Sequence, residues 1–223
     1  MLIACLLVAS TGAGALDEAE AWFESDLDDQ ESRFEARTEA VNEGVLEFLE
    51  TAPGQRVLQT RNTLILNRES LENGWVGLSQ CQGNLDPVAA VEIVYRYHAI
   101  RNLQVLSSSG IDTARVENGA VQLTNVGVDA EVCVGAEVRV LKPAGEGRYE
   151  IQSGPFHRRF LDGYYPIHLD YRLSYPPDLL TLDAVHPPAQ AGFTVTRLAG
   201  HLLIDALFEG RLTILVSLRE TGS

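Results

Sequence analysis

The sequence lacks the short motifs that mark several large enzyme classes. It contains no GxSxG elbow, no HExxH zinc motif, no Walker phosphate loop, no CxxC pair and no dinucleotide-binding glycine fingerprint. A serine run at residues 107–109 precedes a glycine, but the pattern supplies no base beside it, so it predicts a polar turn. These absences favour a binding or assembly role over catalysis, and we expect no cofactor.

Basic charge is also scarce. The chain has 17 Lys and Arg against 31 Asp and Glu, a formal net charge of -14. Residues 17–50 hold thirteen of the acids and two arginines, a net of -11, which leaves eighteen acids and fifteen bases elsewhere. The acidity therefore belongs to an N-terminal segment, and nothing resembles the basic footprint of a nucleic-acid-binding protein.

Long apolar runs are missing as well. Residues 2–8 form a short one that ends before Ala13, Gly14 and Ala15, a small-x-small cleavage pattern. This predicts an export signal at residues 1–15 rather than a membrane span, although no Lys or Arg precedes the run. A second interpretation makes Cys5 the lipid anchor of a lipoprotein, because residues 2–5 resemble its cleavage box. We expect a periplasmic or secreted protein.

Only two cysteines remain after such a signal, Cys81 and Cys133. An even count in an exported chain predicts a disulfide. A bond between them closes a loop of roughly fifty residues, which stabilises the fold by about 4 kcal/mol on the chain-entropy model. Cys133 lies on the polar side of a predicted strand at residues 130–141, so we expect the bond outside the main core, tying a loop at residues 80–84 to the sheet.

Residues 16–52 favour one long acidic amphipathic helix. The segment is rich in Ala, Glu and Arg, and its apolar residues Leu27, Phe34, Val41 and Phe48 recur every seven positions. The polar residues between them argue against a stable coiled coil. The helix is predicted either to pack on the rest of the protein or to act as a stalk that binds a partner.

From residue 57 onward, short runs of alternating apolar and polar residues are separated by turn residues. This spacing predicts a mainly β protein, an antiparallel β-sandwich of one or two immunoglobulin-like layers. The segment at residues 142–147 is either a joint between two sandwiches, 53–142 and 143–223, or a hairpin loop.

Two hairpins have a predicted register. Asn118-Gly119 suits a type I′ turn that places Glu117 opposite Ala120. Glu209-Gly210 predicts a second hairpin, with Leu207 opposite Leu212. That second register leaves Asp205 as the one acid in an apolar row, so a shifted register is the preferred alternative, with Leu202, Ile204 and Phe208 forming the apolar face.

The candidate binding surface lies at residues 154–165. His157, Arg158 and Arg159 stand between phenylalanines, and Tyr164 and Tyr165 follow. Tyrosine is enriched at protein interfaces. We expect a protein partner in the cell envelope, bound here, through the acidic helix, or through both. A further hypothesis docks the two arginines on the acidic helix.

Two other functions remain open. His168 and Asp170 share the polar face of a strand at residues 167–175, and with His157 or Asp162 they suggest a periplasmic metal-binding protein or metal-dependent hydrolase. A simple solvated face, with Asp170 paired to Arg172 or to an arginine of a neighbouring strand, is the preferred explanation of these two residues. The third function is a ligand- or glycan-binding module that uses exposed aromatic residues, namely Tyr164, Tyr165 and Trp75.

Overall fold

The computed structural model describes residues 44–222, apart from residues 55, 96 and 161–162. The predicted export signal, Cys5 and most of the predicted acidic helix lie outside the described residues. The described part belongs to one compact unit.

The described residues are mainly β, with a single short helix. The helix, α1, is Arg68–Asn73. The strands are β1 (Glu47–Phe48), β2 (Leu58–Ile65), β3 (Trp75–Gly83), β4 (Val88–Val94), β5 (Ile100–Glu117), β6 (Ala120–Arg139), β7 (Leu141–Gly145), β8 (Arg148–Phe156), β9 (Arg158–Phe160), β10 (Gly163–Tyr165), β11 (Ile167–Ser174), β12 (Leu180–His186), β13 (Phe193–Leu198), β14 (His201–Glu209) and β15 (Leu212–Glu220).

The strands form a multi-sheet, sandwich-like arrangement. One sheet has nine strands and runs β1-β14-β11-β2-β3-β6-β4, with β13 beside β14 and β5 beside β6. A second sheet has four strands in the order β12-β15-β8-β7, and β9 pairs with β10 in a small separate hairpin. The inner faces of the two larger sheets supply the main apolar core. The mainly β, layered prediction is thus confirmed, but one pair, β2 with β11, is parallel.

Strand β11 confirms the clearest alternation in the sequence. Its residues Ile167, Leu169, Tyr171 and Leu173 are at most 2% exposed, whereas the intervening polar residues face outward. The strand lies between β2 and β14, so its inner face packs against the core while its outer face remains wet. The alternation of apolar and polar residues in the sequence of β11 therefore matches the alternation of buried and outward-facing side chains in the structure.

The longest strands, β5 and β6, form the predicted hairpin. Glu117 lies opposite Ala120, and Asn118 and Gly119 both have positive φ, as a type I′ turn requires. One side of β6 carries β5, and the other side carries β3 and then β4. A second, smaller apolar core lies on this ribbon, around Val121, Leu123 and Val132.

The predicted hairpin between Leu207 and Leu212 is wrong. Strands β14 and β15 belong to different sheets, and the chain crosses from one to the other at Gly210. The preferred alternative for β14 is correct, because Leu202, Ile204 and Phe208 face the core. Asp205 points outward, so its charged carboxylate does not have to be buried in the core.

The described end of the predicted acidic helix is not helical. Glu47 and Phe48 form strand β1 against β14, and the ring of Phe48 packs 5.1 Å from that of Phe193. At this end, strand pairing with β14 and the aromatic contact determine the structure, and the seven-residue apolar repeat does not produce a helix.

Helix α1 was not predicted, although it has a local signature. Asn67 and Ser70 form a capping box, and Gly74 ends the helix in the left-handed region.

Cys81 and Cys133 form the predicted disulfide. They lie directly opposite each other on β3 and β6, with Cys133 on the polar side of its strand, as expected. The expected loop at residues 80–84 is instead the end of β3, so the bond joins two paired strands rather than a loop to a sheet.

The segment at residues 142–147 contains the turn between β7 and β8, which pair as an antiparallel hairpin. Strands that precede it (β2 and β3) and strands that follow it (β11 and β14) are neighbours in the nine-stranded sheet. Within the described residues, no helix is both long and apolar enough to cross a membrane.

Replacing Gly210 with alanine should destabilise the fold by more than about 3 kcal/mol, because the residue has φ +82° and the new Cβ would clash with the carbonyl group of Val45. Gly119→Ala is the matched control, since it has φ +78° but open space around the Cβ. We expect the control to lose about 1 kcal/mol. Urea unfolding of both variants measures the difference, and equal losses would contradict the steric argument.

Candidate functional site

A groove of about 410 Å³ lies where β4 approaches the end of β8 and strand β9. One wall consists of residues between Leu85 and Tyr97, and the other of Gly154 to Phe160. The floor is supplied by neighbouring strands of the nine-stranded sheet, through Leu58, Thr60, Gln80, Gln82 and Ile167. We call this the β4–β9 groove. It is the cavity that contains three of the predicted binding residues.

The floor is polar because the inward-facing residues of β2 and β3 change from apolar to polar along the two strands. Leu64 of β2 lies opposite Leu78 of β3 in the main core, but the next inward pairs are Asn62 with Gln80 and Thr60 with Gln82. The Gln80 amide donates to Asn62 Oδ1 at 3.0 Å, and the Gln82 amide donates to Gln80 Oε1 at 3.3 Å.

Two side-chain atoms of these polar rows are buried without a hydrogen-bond partner among the described residues, Thr60 Oγ1 and Asn62 Nδ2. Thr60 itself is 4% exposed and lines the groove. Buried polar atoms nearly always find a partner in folded proteins. An unpartnered hydroxyl at the floor of a cavity is therefore a reason to look for a ligand there.

Arg158 joins the two walls. Its guanidinium donates to both carboxylate oxygens of Asp86, with Nε 3.1 Å from Oδ2, and Nη1 reaches the carbonyl oxygen of Arg56. The Arg158 side chain is 11% exposed and that of Asp86 32%. Because Asp86 follows β3 and Arg158 begins β9, this ion pair fixes the distance between the walls.

The β9–β10 hairpin carries alternating arginine and aromatic contacts. Arg158 lies 5.6 Å from the Tyr165 ring, and Arg159 lies 5.6 Å from the Tyr164 ring. Both distances are within the range of cation–π attraction. The pairing follows from register, since Arg159 is opposite Tyr164 and Arg158 is opposite Tyr165. The hairpin thus holds its cations against aromatic faces at the groove's edge.

Tyr95 and Tyr97 lie on the wall that contains β4. Burial raises the pKa of Tyr97 to about 12 and raises the pKa of Tyr95 further above its ordinary value, with the neighbouring Tyr97 adding to the effect. A tyrosine in so dry a position stays neutral at physiological pH. This wall therefore presents rings and neutral hydroxyls rather than charge.

The predicted binding residues are brought together in part. His157, Arg158 and Arg159 line the groove, whereas Tyr164 and Tyr165 lie in β10 behind them and are half-buried rather than exposed. Trp75 starts β3, at the opposite end from Gly83, roughly 26 Å away along the strand. The expected exposed aromatic trio of Tyr164, Tyr165 and Trp75 is therefore not assembled.

The predicted metal ligands have other partners. His168 Nε2 lies 2.8 Å from Asp205 Oδ2, beside a second cavity of about 520 Å³. Asp170 accepts from Arg172 and Arg61, and the Arg172 hydrogen bond is the main cause of the lowered pKa of Asp170. His157 Nδ1 is 3.2 Å from the Pro155 carbonyl oxygen. Asp162 lies outside the described residues.

Among the described residues, one group of potential ligand atoms is close enough to hold a metal: Cys81, Glu131 and Cys133. The two sulfurs are joined in the disulfide, so neither is a free thiolate that can ligate. The histidines of the metal hypothesis do not belong to this group.

The hypothesis that the acidic helix binds Arg158 has to account for the partner that Arg158 already has. That partner, Asp86, lies in the body of the protein.

Asp86, Tyr95 and the polar floor were all missed by sequence reasoning. The floor had a readable signal, since polar residues occupy core positions in both β2 and β3 at matching ends. The role of Asp86 had none, because it depends on a contact over 72 residues.

A further pair on the outer sheet face was also missed. Ser174 Oγ and His201 Nδ1 lie 3.0 Å apart at the end of the β11–β14 pairing, and both residues are accessible. A serine beside a histidine is the first half of a nucleophile arrangement. Within the described residues, no carboxylate is bonded to the His201 ring, so the pair has no group to orient the base.

No family model matches this sequence, and no curated protein matches it either. Solved structures with a weak likeness include a two-domain M1 zinc metallopeptidase bound to L-tryptophan, with a TM-score of 0.36 and 14% identity over 74% of this chain and 43% of that one. The M1 zinc metallopeptidase from Deinococcus radiodurans has a TM-score of 0.37, with the same identity and coverage. The match thus spans less than half of those chains, and a likeness of this size carries no functional conclusion.

Arg158→Ala should destabilise the protein by about 2 kcal/mol, because it leaves the Asp86 carboxylate half-buried without its partner. Arg219→Ala is the control, since the Arg219–Asp183 pair is more exposed, and its loss should stay within about 0.5 kcal/mol. A double-mutant cycle with Asp86→Ala isolates the coupling between the two groups. A coupling energy near zero would show that the pair does not hold the walls together.

Stability should fall as the pH rises above about 10, the ordinary pKa of tyrosine. The unfolded chain then loses tyrosine protons that the folded chain retains, since burial raises the pKa of Tyr97 to about 12. Tyr97→Phe should remove part of this loss and leave the dependence below pH 9 unchanged. Urea titrations from pH 7 to 12 test this, and identical slopes above pH 10 in both proteins would refute it.

Proposed function

We propose that this protein is an exported, disulfide-bonded binding or assembly protein of the cell envelope, without enzymatic activity. Its partner is a protein, and the binding surface is the β4–β9 groove with the adjoining β9–β10 hairpin. The proposal keeps the predicted location at residues 154–165 and adds the wall formed by β4.

The observation that carries the proposal is the construction of the groove. Residues from six strands converge on one cavity that combines apolar walls with a few polar groups, the usual composition of a binding site. The Arg158–Asp86 pair connects its walls, and Arg159 and His157 remain accessible at its rim. A binding surface needs such a fixed shape, whereas catalysis also needs a positioned nucleophile or base.

The cell-envelope location is supported by one sequence prediction and one structural observation. The predicted signal at residues 1–15 is the first. The disulfide between Cys81 and Cys133 is the other, because such bonds persist mainly in oxidising compartments.

The alternatives have less support. A metal centre at His157, His168 and Asp170 has to compete with the partners that these side chains already have. A glycan-binding module requires accessible tyrosine faces, and the faces of Tyr164 and Tyr165 contact arginines.

Site-specific photo-crosslinking in the native host tests the proposal. A benzoyl-phenylalanine at Phe160, which is 40% exposed and lines the groove, should yield a discrete crosslinked protein in the envelope fraction. The same probe at Leu198, 53% exposed and outside the groove, is the control and should yield none.

Equal crosslinking at both positions, or none at either, counts against the groove as the binding surface. Metal analysis of the purified full chain addresses the main alternative. Stoichiometric zinc that disappears in His168→Ala would favour the metal-binding function instead.

A further inference from the structure

Strand β4 has one unpaired edge in the described part of the chain. It pairs with β6 from Val88 opposite Val126 to Val94 opposite Ala120, and no other described strand pairs with it. Its seven residues span about 23 Å. The N–H and C=O groups on the other edge are thus available to an incoming chain, as in any open sheet edge.

The β4–β9 groove runs along this edge. Side chains of neighbouring strand residues point to opposite faces of a sheet. Yet Val91 and Ile93, from one face, and Glu92 and Val94, from the other, all line the same cavity. A cavity that touches both faces of a strand lies at the strand's edge, so the unpaired backbone groups of β4 border the groove.

The lining defines the chemistry of an occupant. Leu58, Ile93, Phe156 and Ile167 offer apolar contact along the groove. The floor adds Thr60 Oγ1, which is buried without a partner among the described residues. An extended polypeptide supplies both kinds of group, with side chains on alternate positions for the apolar walls and amides for the floor and the edge.

The rim defines the charge of the occupant. Arg158 is already paired with Asp86, and Glu92 accepts from the Gln122 amide at 2.8 Å. Arg159 is exposed and, within the described residues, has no carboxylate partner, only the Tyr164 ring. An accessible guanidinium at the mouth favours a carboxylate on the ligand.

We propose that the β4–β9 groove binds an extended polypeptide segment as an added strand on the free edge of β4, with apolar side chains at alternate positions and an acidic residue beside Arg159. This inference rests on the proposed function and specifies the form of its partner. An acyl chain would fill the apolar part of the groove but would leave the β4 backbone and Thr60 Oγ1 unpartnered, so a polypeptide fits the observations better.

The experiment begins with a phage-displayed library of random nine-residue peptides, panned on the full-length protein. Val94 is 57% exposed and lines the groove, so Val94→Arg should fill the groove without disturbing the core. Val128→Arg is the matched control, because Val128 is 67% exposed and does not line the groove. Enriched peptides should alternate apolar residues, contain an acid, and bind Val94→Arg at least ten-fold more weakly than the control.

Selective N-methylation then tests strand addition itself. The best peptide is synthesised twice, with N-methyl groups on its odd or on its even residues. An added strand directs only one of these sets toward β4, so one version should lose at least ten-fold in affinity and the other should bind nearly normally. Arg159→Glu should weaken the unmodified peptide by a similar factor.

The outcomes separate the two proposals. Peptides that are blocked by Val94→Arg but bind equally in both methylated forms would leave the groove as a binding site and refute strand addition. Failure to enrich any groove-dependent peptide, while Phe160 still crosslinks to a partner, would also refute it. Dodecanoate binding blocked by Val94→Arg, without peptide binding, would replace the polypeptide with an acyl ligand. Failure of both the panning and the crosslinking would remove the proposed function too.

Discussion

The burial of one face of β11 is the constraint on which the rest of the structure depends. This strand lies between β2 and β14 in the nine-stranded sheet, and its four inner side chains reach the main core with almost no exposure. Because successive residues of a strand face opposite ways, that burial forces His168, Asp170 and Arg172 outward. The outer residues then form ion pairs and hydrogen bonds, within β11 between Arg172 and Asp170 and across to β2 and β14 through Arg61 and Asp205.

The same rule explains why a groove lies beside the core. On β2 and β3 the inward row is apolar at Leu64 and Leu78 and becomes polar at Thr60 and Gln82. The main core follows the apolar portion of these strands, and the polar portion forms the floor of the β4–β9 groove. The Arg158–Asp86 pair keeps the walls in place, so the site depends on charge as well as on packing.

The long β5–β6 ribbon positions the free edge of β4. Strand β6 is twenty residues long and exceeds its partner β3, so β4 pairs with the remaining part of it. The smaller apolar core holds β4 in place through residues such as Val91 and Ile93. The proposed strand addition rests on this edge, which the smaller core holds in place and which the cavity borders.

Local sequence was sufficient for features that involve one strand or one turn. The alternation in β11, the type I′ turn at Asn118-Gly119 and its register, and the polar side of Cys133 could all be predicted, because each depends on the period of two or on backbone angles that few residues adopt. Features that join distant segments required the tertiary structure. The parallel pairing of β2 with β11, the separation of β14 from β15 and the meeting of Arg158 with Asp86 leave no trace in the residues next to them. Alternation determines which way a side chain faces but not which strand lies beside it, and the site is formed by the neighbours.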